Sequence, residues 1–88
     1  MSTATVQTVW PKSGNDLVDR LMKNAFDRPR DPRSYPYKLG VFSLLASRVA
    51  STTLSRPYAP GTVDCDAFYA GVDEGKVIWS QHQAEAAQ

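Results

Sequence analysis

The side chains able to do chemistry are few, and their spacing limits what that chemistry is. Cys65 is the only thiol and His82 the only imidazole. A nucleophile–base dyad needs the two within hydrogen-bond reach. They fall seventeen residues apart on one predicted helix, and a rise of about 1.5 Å per residue puts them far outside that reach. Cys65 also lies between Asp64 and Asp66, a setting that disfavours a reactive thiolate. Asp64, Asp66, Asp73 and Glu74 form an acidic cluster. It lacks calcium-loop spacing, and no second cysteine or histidine completes a zinc site. No glycine-rich phosphate loop follows a strand. The inventory points away from catalysis, cofactors and metal ions.

What remains is binding chemistry. DRPRDPRS, from Asp27 to Ser34, places Arg28, Arg30 and Arg33 among two acids and two prolines. Guanidinium forks match phosphates and carboxylates. No aromatic is interleaved, so there is no stacking platform for single-stranded nucleic acid. A solvated proline-rich connector is the plainer reading, and the segment is still the best electropositive candidate. Charge is divided along the chain: nine Lys/Arg stand against four Asp up to Arg56, and only Lys76 against five acids beyond it.

Helices must position these groups. Leu17, Val18, Leu21, Met22 and Ala25 recur at helical spacing. Ser13 and Asp16 have the spacing of a capping box at its start, and Pro29 ends this helix near Phe26 or Asp27. Ser34 caps a second helix, Pro36 suits its first turn, and it runs to about Thr53. Between Tyr37 and Leu54 its only charges are Lys38 and Arg48. A helix apolar or small nearly all round belongs in the interior, so it is read as the central helix, contacted on two sides. SRPYAPGT, from Ser55 to Thr62, is a turn-rich loop, with Tyr58 pinned by packing. Thr62 caps the third helix, and Asp64 and Asp66 favour the positive end of its dipole.

The stretch of that third helix from Thr62 to Trp79 has two faces. Phe68, Gly71, Val72, Gly75, Ile78 and Trp79 lie on one, and Asp66, Tyr69, Asp73, Lys76 and Ser80 on the other. Each helical glycine costs roughly 0.8–1 kcal/mol relative to alanine, so the pair must be offset by close approach of another backbone. The small face of the second helix (Gly40, Ser43, Ser47, Ala50) is the favoured partner. The competing one is a second copy, giving a homodimer through the Gly71/Gly75 face.

Residues 2–12 are rich in Thr and Val, which favour extended backbone. They read as an arm or one short strand with no partner unless another chain supplies it. Trp10 tacks the arm onto the helices. The expected organisation is an extended arm over 1–12, one all-α, three-helix domain over 13–80, and a frayed tail over 81–88. At 88 residues, 42% hydrophobic and 22% charged, the chain suits one small globular domain. A single cysteine fits a reducing compartment. MSTATVQTVWPKS has neither the basic start nor the apolar block of a secretory signal, and no run is long enough to span a bilayer. A cytoplasmic, non-membrane protein is expected.

PYAPGT (57–62), DAFYAGVDEG (66–75) and Ile78-Trp79 resemble segments of small bacteriophage and prophage accessory proteins. The aromatic-x-x-Gly pattern occurs at Tyr37–Gly40 and again at Phe68–Gly71. The layout is also distantly similar to the ribosome modulation factor family. This chain departs from that family in its extra first helix, its acidic third helix and the lack of a cysteine before the Pro-Tyr loop. The resemblance implies a non-enzymatic protein of a bacterial host's cytoplasm that inhibits or modulates a host protein complex, in the manner of anti-CRISPR and other anti-defence factors. The expected contact surface is Asp66, Tyr69, Asp73 and Glu74. RNA or ribosome binding through Arg28, Arg30, Arg33 and Lys38 is the alternative, and a structural homo-oligomer the third.

Overall fold

A computed structural model of the chain describes residues 5–6 and 10–87. In chain order the elements are β1 (Thr5–Val6), α1 (Asp16–Phe26), β2 (Pro29–Arg30), α2 (Tyr35–Ala50) and α3 (Val63–Ala86). The fold is all-α, with three helices and one two-residue strand pair among the described residues.

The first helix starts later than the Ser13 cap expected. Gly14 takes a positive φ of 82°, which turns the chain so that Asn15 becomes the cap. Its side-chain oxygen accepts from the Leu17 and Val18 amides at 3.0 and 3.1 Å. The Asp19 carboxylate closes the entry by accepting from the Ser13 and Gly14 amides at 2.8 and 2.9 Å. Those bonds hold the Asp19 carboxyl below the usual aspartate value. The helix ends at Phe26, as Pro29 dictates.

The second helix is capped by Ser34 with Pro36 in its first turn. It stops at Ala50 rather than near Thr53, because Ser51 is left-handed (φ 56°). The Ser51 and Thr52 amides both donate back to the Ser47 carbonyl, a left-handed helix stop. The third helix is capped by Thr62, whose hydroxyl accepts from the Cys65 amide at 3.1 Å. It continues through Ala86, with the Trp79 and His82 rings 5.5 Å apart along it. Residues 81–86 of the tail expected to fray are therefore helical, with Ala87 as the cap.

The arm finds its strand partner in the same chain. Thr5 pairs with Arg30 and Val6 with Pro29, antiparallel. The connector 27–34, expected to be irregular, supplies this strand, so no second chain is needed. Trp10 packs partly buried against the core, as the tacking role requires. The remaining arm residues, 1–4 and 7–9, lie outside the described set.

Helix α2 is central, with α3 packed closely on one side and α1 more lightly on another. The core is built from Val18, Met22 and Phe26 of α1, Val41 and Leu45 of α2, and Phe68 of α3. Tyr58 packs edge-on to Phe68, with ring centroids 5.9 Å apart. The crossing of α2 and α3 is a backbone contact. A Cβ placed on Gly71 would sit 2.0 Å from the Tyr37 carbonyl oxygen, and one placed on Gly40 2.0 Å from that of Phe68. Each glycine thus fits against the aromatic residue of the opposite helix, three residues ahead of that helix's own glycine. The hydrogen standing where a Cβ would be points at a carbonyl, the arrangement of weak Cα–H···O contacts between helices. Gly75 extends the seam under Leu44 and Val41. The glycine face is occupied by α2, as favoured, which closes it to the homodimer considered as its rival.

Candidate functional site

The outer face of α3 is the surface that the packing leaves over. Asp66 and Asp73 are exposed on it. They lie two helical turns apart, about 10 Å along the axis. Tyr69 stands between them, 42% exposed. Its ring is braced edge-on by Phe68 at 5.8 Å, and its hydroxyl accepts from the Arg56 guanidinium at 3.2 Å. Two further apolar side chains share this side of the helix: Val63, 83% exposed, and Val77, 56% exposed. The sequence reading missed both valines. Their signal was the helical spacing itself: Val63 precedes Asp66 by three positions and Val77 follows Asp73 by four. Arg56 was also missed, because a loop residue gives no spacing to read.

Glu74 does not belong to this face. It points toward the connector and accepts both arms of the Arg30 guanidinium, at 3.0 and 3.1 Å. The Tyr37 hydroxyl donates to the same carboxylate. Arg30 also donates to the Ala25 carbonyl at 2.8 Å and stacks 5.0 Å from the Phe26 ring centre. Burial raises the Glu74 carboxyl, but the hydrogen bonds from Arg30 and Tyr37 and the charges of Arg30 and Arg33 outweigh it, so the net shift is downward. The bond to Glu74 holds Arg30 more firmly protonated. Burial, then the bond to Glu74, pushes the Tyr37 phenol up.

The other basic residues of the RNA reading are engaged as well. The Arg28 Nε donates to the Ala25 carbonyl at 3.2 Å, and Arg33 lies 4.7 Å over the Tyr37 ring. Lys38 is buried, 7% exposed, with its ammonium 5.8 Å from the Phe26 ring centre. Burial lowers its pKa, and the charge of Arg30 adds to the effect. The structure therefore brings Arg30 and Glu74 together, although the sequence reading assigned them to different surfaces. It leaves Asp66, Tyr69 and Asp73 together on one exposed face.

A half-open cleft of about 270 Å³ separates α1 from the second half of α3. Leu21, Ala25 and Ile78 form its apolar lining, and Arg28, Glu74, His82 and Glu85 are among its polar lining. Cys65 is buried. Among the described residues, no group of three or more His, Cys, Asp or Glu side chains is placed to hold a metal ion. No helix among them is long and apolar enough to cross a membrane. Comparison with protein-family models, with curated proteins and with solved structures finds no match to this chain. The resemblance to phage and prophage proteins rests on the quoted segments alone.

Proposed function

We propose that this protein is a non-enzymatic binding module that docks on a basic surface of another protein through Asp66, Tyr69 and Asp73 of α3. The observation that carries the reading is the unequal use of charge. Glu74, Arg30 and Arg33 are spent on contacts within the fold, whereas Asp66 and Asp73 remain exposed beside an exposed, braced tyrosine. Paired acids around an aromatic anchor suit a basic, shallowly apolar groove, because opposite charge guides the encounter and tyrosine supplies contact area. The resemblance to phage accessory proteins makes a bacterial host complex the partner, and inhibition or modulation the outcome. Binding RNA or the ribosome through the connector would have to break the Arg30–Glu74 pair and unstack Arg33 from Tyr37, which counts against that alternative.

Affinity capture from a bacterial lysate, read by mass spectrometry, tests the proposal. One protein complex is expected to be retained, to be lost with Asp66→Lys/Asp73→Lys or Tyr69→Ala, and to be kept with Lys23→Glu on α1. Retention of ribosomes or RNA alone, or capture indifferent to the α3 substitutions, overturns it.

A further inference from the structure

We infer that what docks on α3 is a single basic helix, laid along a seven-residue repeat on the outer face of α3 with its cations opposite Asp66 and Asp73. The inference rests on the docking role proposed above and names the shape and chemistry of the partner element. Val63, Ala70, Val77 and Ala84 stand seven residues apart along α3. Asp66, Asp73 and Ser80 fall between them, each three residues after one apolar position and four before the next. All seven are exposed. The inward positions of the same helix, among them Cys65, Phe68 and Val72, are buried, and α2 covers the Gly71/Gly75 side. The outer side keeps a second regular line of positions.

Alternating steps of three and four are the spacing at which one helix stays in register with another, since a neighbour crossing at about 20° follows the slow drift of a heptad line. A strand repeats every two residues and has no such match. Val63 to Ala84 is 21 steps, about 32 Å of helix axis, which is room for three heptads of contact. Ala70 and Ala84 are short enough to let the axes close, and Val63 and Val77 fill the layers between. Tyr69, braced by Phe68 and Arg56, adds aromatic area at the edge of the line. The charged layers select the occupant. A parallel second copy of α3 would set Asp66 and Asp73 against their own counterparts, and an antiparallel one would set them against valine or alanine. Either way the carboxylates lose water without gaining a partner. A helix with Arg or Lys seven residues apart, and apolar residues between, pairs both carboxylates and covers the valines. Charged layers of this kind set register and partner choice.

The probe is a labelled three-heptad peptide with Leu at the positions facing the Val and Ala layers, Arg facing the Asp and Ser layers, and Gln and Ala elsewhere. A control peptide has the same composition, shuffled so that Leu and Arg share no face. Fluorescence anisotropy with the full chain reads binding, and circular dichroism of the mixture reads helix gained by the peptide. The heptad peptide is expected to gain helix and to bind at least about tenfold more tightly than the shuffled one. Asp73→Lys should weaken it at least about tenfold, and Val77→Asn, which leaves the charge alone, at least about fivefold. Asp64→Lys makes an equal charge change off the line and should cost less than about threefold. No binding, no helix gained, equal binding of the two peptides, or equal losses in Asp64→Lys and Asp73→Lys would each overturn the inference. So would sedimentation showing a dimer of the protein alone that Val77→Asn dissolves, because a second copy would then occupy the line. The docking role itself is decided separately by the lysate capture: capture lost with the α3 substitutions alongside a negative peptide result would mean a partner that is not a helix on the same face.

Discussion

Replacing Gly71 with alanine should separate two opposing effects cleanly. Alanine gains roughly 0.8–1 kcal/mol of helix propensity over glycine, so on an open helix face the change would stabilise. Here the new methyl would meet the Tyr37 carbonyl oxygen at 2.0 Å, its carbon at 2.9 Å and the Val41 nitrogen at 3.1 Å. All three are backbone atoms of α2, and none can rotate aside. Relief requires α2 and α3 to part by on the order of 1 Å, and a gap of that size forfeits a quarter to a half of each van der Waals contact along the seam. Overpacking in a close-packed interior costs about 1–3 kcal/mol, and an immovable obstacle belongs at the upper end. The net loss is about 2 kcal/mol, which is roughly 2 M in urea midpoint for a small chain with an m-value near 1 kcal/mol/M. Gly75→Ala is the internal comparison. Its methyl would meet Leu44 Cβ at 2.9 Å and the Val41 oxygen at 3.2 Å, a milder overlap that propensity partly offsets, so the loss stays within about 1 kcal/mol. Gly40→Ala should match Gly71→Ala, and the double variant should cost less than the sum, because the first displacement makes room for the second methyl. Urea unfolding followed by circular dichroism measures all four. A Gly71→Ala protein at least as stable as the parent, or no less stable than Gly75→Ala, would refute the close-approach argument.

Other expectations can be checked with the same assay. Asn15→Ala removes the acceptor for two helix-entry amides and should cost about 1 kcal/mol. Ser51→Gly relaxes the left-handed stop of α2 and should gain roughly 0.5–1 kcal/mol. The folded-state pKa of Glu74 is lowered, so the stability it lends is fully present above the ordinary glutamate range and is lost as pH falls through the lowered value. Glu74→Gln should therefore flatten the acid limb of a stability–pH profile below about pH 4.5, and an unchanged limb would remove Glu74 as its source. Asp73→Lys, on an exposed mid-helix face, should move stability by no more than about 0.5 kcal/mol, whereas Asp66→Lys in the first turn of α3 should cost roughly 0.3–1 kcal/mol more through the helix dipole. A larger loss would mean that the face has a task inside the fold.

The helices were legible because their signals are local. Ser34, Thr62 and Pro29 mark ends through backbone geometry that neighbouring residues hardly alter. The two faces of α3 follow from periodicity, and the glycine contact follows from the energetic penalty of two helical glycines. The errors arose where distant groups intervene. Asn15 displaced Ser13 as cap because Gly14 turns the chain and Asp19 reaches back to hold it, a choice among adjacent polar residues that propensity does not rank. Glu74 was assigned to the acidic face because it adjoins Asp73 in sequence. One residue is a 100° step around a helix, enough to swing it to Arg30, forty-four positions away. Arg30 itself read as solvated because nothing in DRPRDPRS discloses that a strand partner lies twenty-odd residues upstream. The candidate face was legible in Asp66, Tyr69 and Asp73, but its valines and Arg56 were not.

The reciprocal glycine contact also bears on how this chain can change length. Two helices that meet through each other's carbonyls hold their relative position without help from the segment that joins them. Apart from Leu54 and Tyr58, which pack on the core, and Arg56, which bonds Tyr69, residues 52–61 have little duty of alignment, and most of them are exposed. Lengthening that segment adds only the slowly growing entropy of closing a longer loop, so added residues there should be accepted, as should new chain ends. One residue inserted between Tyr37 and Val41 would instead turn everything beyond it by about 100° and drive a side chain into a carbonyl. Two stretches of five residues, 37–41 and 68–72, carry the spatial relation of the halves, and the exposed positions of the loop between α2 and α3 are where the chain can change length.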